Sequence, residues 1–474
     1  MNLKCINKIS NYKNLIGWTV STTVLIIFCF IPIGLPELDA RIFGIILFAV
    51  VMWIFEPIPP FASTLLIIPF MYFAGVPVTD ILGGFSSPTW VAVIGIFMFG
   101  LAIQVSGIGH RLSLLLLSHI SATYSSLILG FLLVGLVLTF IIPSSVAKSV
   151  ILLPIALNIG KEMEKQKNGP AKAGLTLSAM FGGWTTAGLL PTGSVANIII
   201  LGVLTRSMPQ YNYYTSYTGW FILLGVISIL ATLITWQIII HMFKPRNKVI
   251  SKDVILKELK ALPPTLTGKE KRILILAVIA ILLWATSSWT KIPLWVSCIC
   301  VASLMASPRI GILSSADIKK LDWPTIIWMG SILTIASLMS KYTIAKWITD
   351  MLIPIIHPVT GNLYLLSLVV TILFFLLAIV IVNPYILTAV LLPSLMSLSN
   401  NVGVNPTLFV ALFLLLFRYF IFPYQCQPAV IVYGMTKGEG FTLKQLTKVA
   451  LVQTITAIPV ALFSVFYWSI IGIL

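Results

Sequence analysis

Apolar stretches long enough, or almost long enough, to cross a bilayer recur along the whole sequence. A helix of about 20 apolar residues spans the hydrocarbon core, where every backbone N–H and C=O must be paired within the segment. Hydrophobic residues make up 58% of the chain and charged residues 9%, against about 25% charged residues in soluble domains. The sequence therefore predicts an all-α polytopic membrane protein. The clearest spans are 18–34, 91–105, 127–142, 220–240 and 449–474.

The net charge of +17 comes from basic residues that cluster in a few polar segments. Over half of the lysines and arginines lie in 1–14, 161–172 and 244–272. Basic loops stay on the cytoplasmic side, so this distribution predicts a multi-pass plasma-membrane protein with a cytoplasmic N-terminus. It also explains the charge without a nucleic-acid partner. The cysteines lack the spacing of a metal site, and no cofactor is expected.

One apolar region is interrupted by the polar stretch Pro143-Ser144-Ser145-Val146-Ala147-Lys148, and a further apolar run follows it to Pro154. Two hydroxyls and a lysine are unfavourable in a lipid-facing helix at this depth. They are expected in a re-entrant helical hairpin, because its tip ends inside the membrane and lines a polar cavity. The alternative is an ordinary helix kink, in which the hydroxyls bond back to backbone carbonyls.

Similar interruptions recur at matched places in the two halves of the chain. Asn383-Pro384-Tyr385, which precedes Pro393, corresponds to the first hairpin tip, and the Gly/Pro/hydroxyl-rich segments 188–197 and 423–429 predict unwound helices. The sequence thus predicts about 11 transmembrane helices, two re-entrant hairpins and an inverted repeat. The predicted divisions are a first half at 1–242 (scaffold helices 17–78, transport elements about 90–205), a basic cytoplasmic linker at 243–272, and a second half at 273–474 (scaffold helices 273–307, transport elements about 324–435, final helix 449–474).

Broken helices supply the chemistry of an anion site. The N-terminus of a half-helix presents free N–H groups and partial positive charge, while hydroxyl and amide side chains hydrogen-bond carboxylates or sulfate. The candidates from the residues themselves are Ser144, Ser145, Thr192, Ser194, Asn197 and Asn383.

A family resemblance rests on several short motifs. They are Glu56-Pro57-Ile58-Pro59, Gly107-Ile108-Gly109-His110-Arg111-Leu112, Gly182-Gly183, and Gly434 with Gly438-Glu439-Gly440. With the four interruptions, they make nearly the whole chain similar to the divalent anion/sodium symporter family. This family comprises dicarboxylate, citrate and sulfate carriers of the ion transporter superfamily. The resemblance implies a secondary transporter with a scaffold and a moving transport domain, which forms a homodimer.

The family motifs are degenerate in this chain. The family has a Ser-Asn-Thr triplet at each hairpin tip and a Gly-Thr-Pro-Pro-Asn-like segment after each unwound helix, which bind substrate carboxylates and sodium. Alignment on Pro154 and Pro393 places Ser144-Ser145-Val146 and Asn383-Pro384-Tyr385 at the triplets. The later segments become Gly193-Ser194-Val195-Ala196-Asn197 and Cys426-Gln427-Pro428-Ala429. The resemblance therefore adds Gly193, Pro384, Tyr385, Cys426 and Gln427 to the substrate-binding candidates.

Two basic residues lie close to the degenerate motifs. Lys148 lies one helical turn beyond Ser144, and Arg418 lies just before the Pro423 interruption. Intramembrane charges are costly and usually face a partner or a polar cavity. We expect a fixed cation at each site to replace bound sodium, which adds Lys148 and Arg418 to the candidates. The alternative is that each side chain snorkels to an interface.

The sequence thus predicts a transporter and not an enzyme. The expected function is elevator-type exchange of small divalent organic anions such as succinate, malate, 2-oxoglutarate or citrate, without sodium. The alternatives are a sodium-coupled dicarboxylate or sulfate symporter, with sodium as its ion, an anion channel, or an intramembrane enzyme. Expected partners are the small anion, membrane lipid and a second copy of the chain.

Overall fold

The structure is a computed structural model that describes residues 3–31, 34–164, 169–207, 216–245, 253–381 and 384–474. Throughout these ranges the regular elements are helices, and none is a strand, which confirms the predicted all-α class. Seven described helices are long and apolar enough to cross a membrane. They contain Tyr12–Phe30, Glu37–Phe55, Pro88–Ser106, Tyr124–Ile141, Tyr217–Met242, Trp323–Lys341 and Leu443–Ile470.

The described part of the first half contains α1 to α11 and two 3₁₀ turns. In chain order the helices are α1 (Leu3–Phe30), α2 (Glu37–Phe55), α3 (Pro60–Phe73), α4 (Val78–Ile81), α5 (Pro88–Ser106), α6 (Ile108–Ser118), α7 (Tyr124–Ile141), α8 (Ser145–Met163), α9 (Pro170–Trp184), α10 (Val195–Ser207) and α11 (Tyr217–Met242). The 3₁₀ turns Thr185–Leu189 and Pro191–Gly193 lie between α9 and α10.

The linker and the second half contain the remaining described helices. They are α12 (Asp253–Ala261), α13 (Gly268–Ala285), α14 (Ser287–Thr290), α15 (Leu294–Ala306), α16 (Ser315–Ile318), α17 (Trp323–Lys341), α18 (Ile344–Ile356), α19 (Leu363–Val380), α20 (Pro384–Val402), α21 (Pro406–Leu416), α22 (Gln427–Thr436) and α23 (Leu443–Ile470). The 3₁₀ turns are His357–Val359 and Pro423–Gln425.

α7 and α8 form the first predicted hairpin. α7 ends at Ile141, the chain reverses through Pro143, and Ser144 caps α8 by accepting a 3.2 Å hydrogen bond from the N–H of Ala147. The hydroxyl satisfies one of the donors that the first turn of a helix leaves free. The polar interruption is therefore the turn between the two helices.

The predicted unwound segment of the first half separates α9 from α10. Leu190 is extended between the two 3₁₀ turns, and Pro191 cannot donate a backbone hydrogen bond. The side-chain amide of Asn197 donates to the carbonyls of Ala187 (2.8 Å) and Leu190 (2.7 Å). One side chain thus pairs two carbonyls that the interruption frees, which is what an apolar surrounding requires.

The second half also contains two interruptions between helices. α19 and α20 flank the first of them, but its residues 382 and 383, including the candidate Asn383, lie outside the described residues. α21 and α22 are separated by a second interruption, in which Gln425 accepts from the N–H groups of Ile421 (2.8 Å) and Phe422 (2.7 Å) and donates to the Ala378 carbonyl of α19 (2.6 Å). This interruption is thereby fixed to α19.

Two adjacent glycines let the first hairpin pack against α9. A Cβ at Gly182 would lie 2.6 Å from the Phe131 carbonyl oxygen of α7, and one at Gly183 would lie 2.5 Å from the Ser145 carbonyl oxygen of α8. Gly182 therefore allows α7 to pack closely against α9, and Gly183 allows α8 to do so. Such close backbone approach through small residues is typical of helix packing in membranes.

The linker region is tied to the first half by polar contacts. The Oε1 atom of Glu258 in α12 accepts from Asn158 Nδ2 of α8 at 2.7 Å. At the start of α13, Glu270 forms a buried ion pair with Arg111 of α6, with 2.7 Å between Nε and Oε1. Removing one partner of such a pair leaves an uncompensated buried charge, so this contact fixes α6 against α13.

α2 begins at Glu37, five residues before the apolar run that starts at Ile42. Its first turns contain Glu37, Asp39 and Arg41, and acidic residues stabilise a helix N-terminus. Asp39 is also buried, and its carboxylate accepts a 2.8 Å hydrogen bond from the N–H of Thr343. Hydropathy alone misses this polar start.

We expect Gly182→Ala to lower the melting temperature of the detergent-solubilised protein. The added methyl must displace backbone, and overpacking of this kind costs about 1–3 kcal/mol. The matched control is Gly100→Ala in α5, where a Cβ would meet nothing within 4 Å. Removing a helix-interior glycine there should be neutral or stabilising by about 0.5–1 kcal/mol. Equal melting temperatures for the two variants would contradict the packing described.

Candidate functional site

Lys148 is fully buried in the first turn of α8, with 0% of its surface exposed. Its ammonium donates to Thr139 Oγ1 of α7 at 2.6 Å and to the Gly193 carbonyl at 3.3 Å. The Lys148 side chain therefore links the first hairpin to the first interruption. It does not reach an exposed interface.

Arg418 lies just after α21 and is 8% exposed. Its Nη2 donates to Ser194 Oγ at 2.9 Å and to Asn197 Oδ1. Its guanidinium carbon lies 5.4 Å from the ring centre of Trp184, and the indole N–H of Trp184 donates to the Arg418 carbonyl at 2.7 Å. Arg418 thus joins the second interruption to the first, and an aromatic face supports its charge.

Asn197 is the centre of this cluster and is 1% exposed. Its Oδ1 accepts from Arg418 and from Ser194 Oγ, the latter at 3.1 Å, while its Nδ2 donates to the two backbone carbonyls of the interruption. A side-chain amide has two donor hydrogens and an acceptor oxygen with two lone pairs. All of them are used, so the orientation of Asn197 is fixed.

Both cations therefore contact the same segment, 193–197. The sequence analysis expected one cation at each of two sites, and the structure instead brings Lys148 and Arg418 to one interruption. Among the described residues, neither forms an ion pair with a carboxylate. A buried charge without a partner is costly. The cluster thus holds two basic side chains, without a described carboxylate partner, inside an apolar region.

The other first-half candidates lie around this cluster. Ser144 caps α8, and Ser145 Oγ is buried without a hydrogen-bond partner. The Thr192 hydroxyl is buried and donates to Tyr217 Oη of α11 at 3.4 Å. Gly193 contributes its carbonyl to Lys148. The first hairpin tip and the first interruption thus meet.

The second-half candidates are more scattered. The ring of Tyr385 packs edge-on against Trp328 of α17, with 5.5 Å between ring centres. Cys426 is fully buried just before α22, whereas Gln427 is exposed at the start of that helix. Pro384 begins α20, and its side chain lies outside the described part of the chain.

Several residues of the site were missed by the sequence analysis. Thr139 holds the Lys148 ammonium, Trp184 stacks on Arg418, and Gln425, rather than Gln427, pairs the backbone of the second interruption. One signal was available, since Thr139 is an isolated hydroxyl in the apolar run 127–142. Nothing in the spacing distinguishes Gln425 from Gln427.

A cavity of about 710 Å³ borders the first interruption. Pro191 and Tyr217 line one side of it, and Trp284, Ser288 and Lys291 line the side formed by α13–α15. Small-molecule sites commonly occupy about 300–1,000 Å³. The cavity therefore has room for a small solute next to Pro191, although Thr192 and the residues of the cation cluster do not line it.

Comparison with known proteins agrees with this architecture. The YdaH transporter of Alcanivorax borkumensis has a TM-score of 0.56 at 14% identity, with 83% of this chain and 88% of that chain covered. The MtrF structure from Neisseria gonorrhoeae has a TM-score of 0.56 at 12% identity and covers 95% of this chain and 97% of its own. At these identities the likeness concerns the fold alone.

Sequence relatives are closer. Inner membrane protein YbhI of Escherichia coli (strain K12) is 29% identical over 337 residues, which are 67% of this chain and 69% of YbhI. The L-tartrate/succinate antiporter of the same strain is 25% identical over 302 residues, which are 61% of this chain and 60% of the antiporter.

The family model described as the sodium:sulfate symporter transmembrane region matches residues 12–474. This match includes the first hairpin, the interruptions and the linker, and the described apolar helices fit a multi-pass integral membrane protein. The chain belongs to the sodium:sulfate symporter family of membrane transporters.

Proposed function

We propose that this protein exchanges small divalent organic anions across the plasma membrane without sodium. Succinate, malate, 2-oxoglutarate and citrate are the substrates of this class that we consider. The observation that carries the proposal is the pair of buried cations, Lys148 and Arg418, bound to one interrupted helix with no described carboxylate partner.

Charge balance favours a dianion. Coulomb attraction between an anion and a buried cation is much stronger in an apolar interior than in water. Two fixed positive charges are matched by two carboxylates, and Ser144, Ser145 and Thr192 add hydroxyls at the hairpin tip and the first interruption. The N-termini of α8 and α10 add positive potential at the same place.

The Lys148 ammonium also has the surroundings of a bound cation, since a hydroxyl and a carbonyl oxygen accept its hydrogens. Unlike sodium, it cannot leave with the substrate. A carrier without substrate would have to move two uncompensated charges through the membrane, which is costly. A bound dianion neutralises the two charges, so the site crosses the membrane readily only when it is loaded. A carrier that returns only with substrate bound exchanges one substrate molecule for another.

We propose that the movement is of the elevator type in a homodimer. The hairpins and interrupted helices, at about 90–205 and 324–435, would carry the site past scaffold helices at 17–78 and 273–307. The 710 Å³ cavity supports this division because it lies between α10 and the second-half helices α13–α15. With the basic linker on the cytoplasmic side, the cavity would open to the outside.

The similarity to an L-tartrate/succinate antiporter supports both the substrate class and the exchange mode. The second candidate function is sodium-coupled symport of sulfate or a dicarboxylate, which the family description favours. A channel would conduct without saturation, and loading of the opposite side would not accelerate its flux.

Counterflow in proteoliposomes tests the exchange mode. Vesicles loaded with unlabelled succinate should take up labelled succinate more than about tenfold faster than empty vesicles, because each 1.4 kcal/mol of added barrier slows a step about tenfold. Malate, 2-oxoglutarate, citrate and sulfate loading would rank the substrates. Equal uptake into loaded and empty vesicles would contradict exchange and favour symport or a channel.

Lys148→Met should weaken dicarboxylate binding by about 10–100-fold, since a hydrogen bond to a charged group contributes about 1.5–3 kcal/mol. Calorimetric titration of the detergent-solubilised protein measures the change. The matched control is Lys161→Met, an exposed lysine in the last turn of the same helix, which should leave affinity unchanged. Unchanged affinity for Lys148→Met would remove this lysine from the site.

A further inference from the structure

A small cavity of about 20 Å³ lies beside Arg418. Its walls come from the 3₁₀ turn Thr185–Leu189 and from α11, α21 and α23, and Ser194 and Asn197 do not line it. A cavity of about 10–15 Å³ is large enough to hold one water molecule. The cavity therefore has room for a single small occupant and not for a dicarboxylate.

Two nitrogen atoms of Arg418, Nε and Nη1, are buried without a hydrogen-bond partner, and the residue lines this cavity. The third nitrogen, Nη2, is already used by Ser194 and Asn197. Buried polar groups are almost always hydrogen-bonded. The charged edge of the guanidinium thus lacks its partner on the cavity side.

Gly188 keeps the space between Arg418 and α11 open. A Cβ at Gly188 would lie 2.8 Å from Ser228 Oγ and 3.7 Å from Arg418 Nε, and all three residues line the cavity. Any larger residue would fill the gap between the hydroxyl and the guanidinium. The glycine leaves a pocket in which a hydroxyl and a guanidinium edge face one occupant.

We propose that this pocket binds one chloride-sized monoanion between the Arg418 guanidinium and Ser228 Oγ. The described lining includes a guanidinium, hydroxyls and an amide but no carboxylate, so an anion satisfies both the hydrogen bonds and the charge. A water molecule would satisfy only the hydrogen bonds. A halide ion is a single atom, so it suits a pocket with room for one small occupant.

Halide binding should also affect the proposed dicarboxylate exchange, an inference that rests on the proposed function. A halide and a substrate carboxylate compensate the same guanidinium. Each should therefore weaken the binding of the other, and the two effects must be equal by linkage. A carrier with only a halide bound still has the charge of Lys148 uncompensated, so chloride does not replace the substrate.

Thermal unfolding without substrate tests the site. At constant ionic strength, replacing gluconate by chloride should raise the melting temperature of the wild type by a few degrees, since a ligand that binds only the folded state stabilises it. Gly188→Ala fills the pocket without touching the Ser194 contact, so chloride and gluconate should give it the same melting temperature. Gly100→Ala, which fills no pocket, should keep the chloride effect.

Bromide-soaked crystals give the direct check, with an anomalous peak expected within hydrogen-bonding distance of Arg418 Nε and Ser228 Oγ. A pocket that contains only water, no chloride effect on the wild type, or an equal chloride effect on Gly188→Ala would overturn the proposal. A chloride effect that persists while counterflow fails would reject dicarboxylate exchange and leave the halide site standing.

Discussion

Two positive charges buried beside one interrupted helix are the constraint on which the rest of the site depends. An apolar surrounding makes each charge costly, and neither cation forms an ion pair with a described carboxylate. The Lys148 ammonium is tolerated because the hairpin tip brings it to a hydroxyl and a backbone carbonyl. The Arg418 guanidinium is tolerated because an amide oxygen, a hydroxyl and an indole ring surround it.

The packing of the first half serves this arrangement. Gly182 and Gly183 let both arms of the hairpin reach α9, which places Lys148 within reach of Gly193. Asn197 pairs the carbonyls that the interruption leaves free, and in doing so aims its oxygen at Arg418. The backbone interruption and the cation site are therefore stabilised by the same side chain.

The sequence predicts the interruptions because proline, glycine and hydroxyls have a clear cost in a lipid-facing helix. It also selects Lys148, Ser194, Asn197 and Arg418. It does not predict that Arg418 crosses from the second interruption to the first, because the spacing along a chain does not say which half a cation contacts. Tyr385 shows the same limit, since its ring packs on Trp328, a residue remote in sequence. Polar helix starts, such as Glu37 in α2, are likewise invisible to hydropathy.

The fixed cations Lys148 and Arg418 are proposed to take the place of bound sodium. The test is the exchange of labelled succinate between loaded proteoliposomes and a medium containing either sodium or choline, at equal ionic strength and zero membrane potential. If the two cations replace sodium, the initial rate is the same in both media. A rate that falls to background in choline and rises saturably when sodium is restored would contradict it.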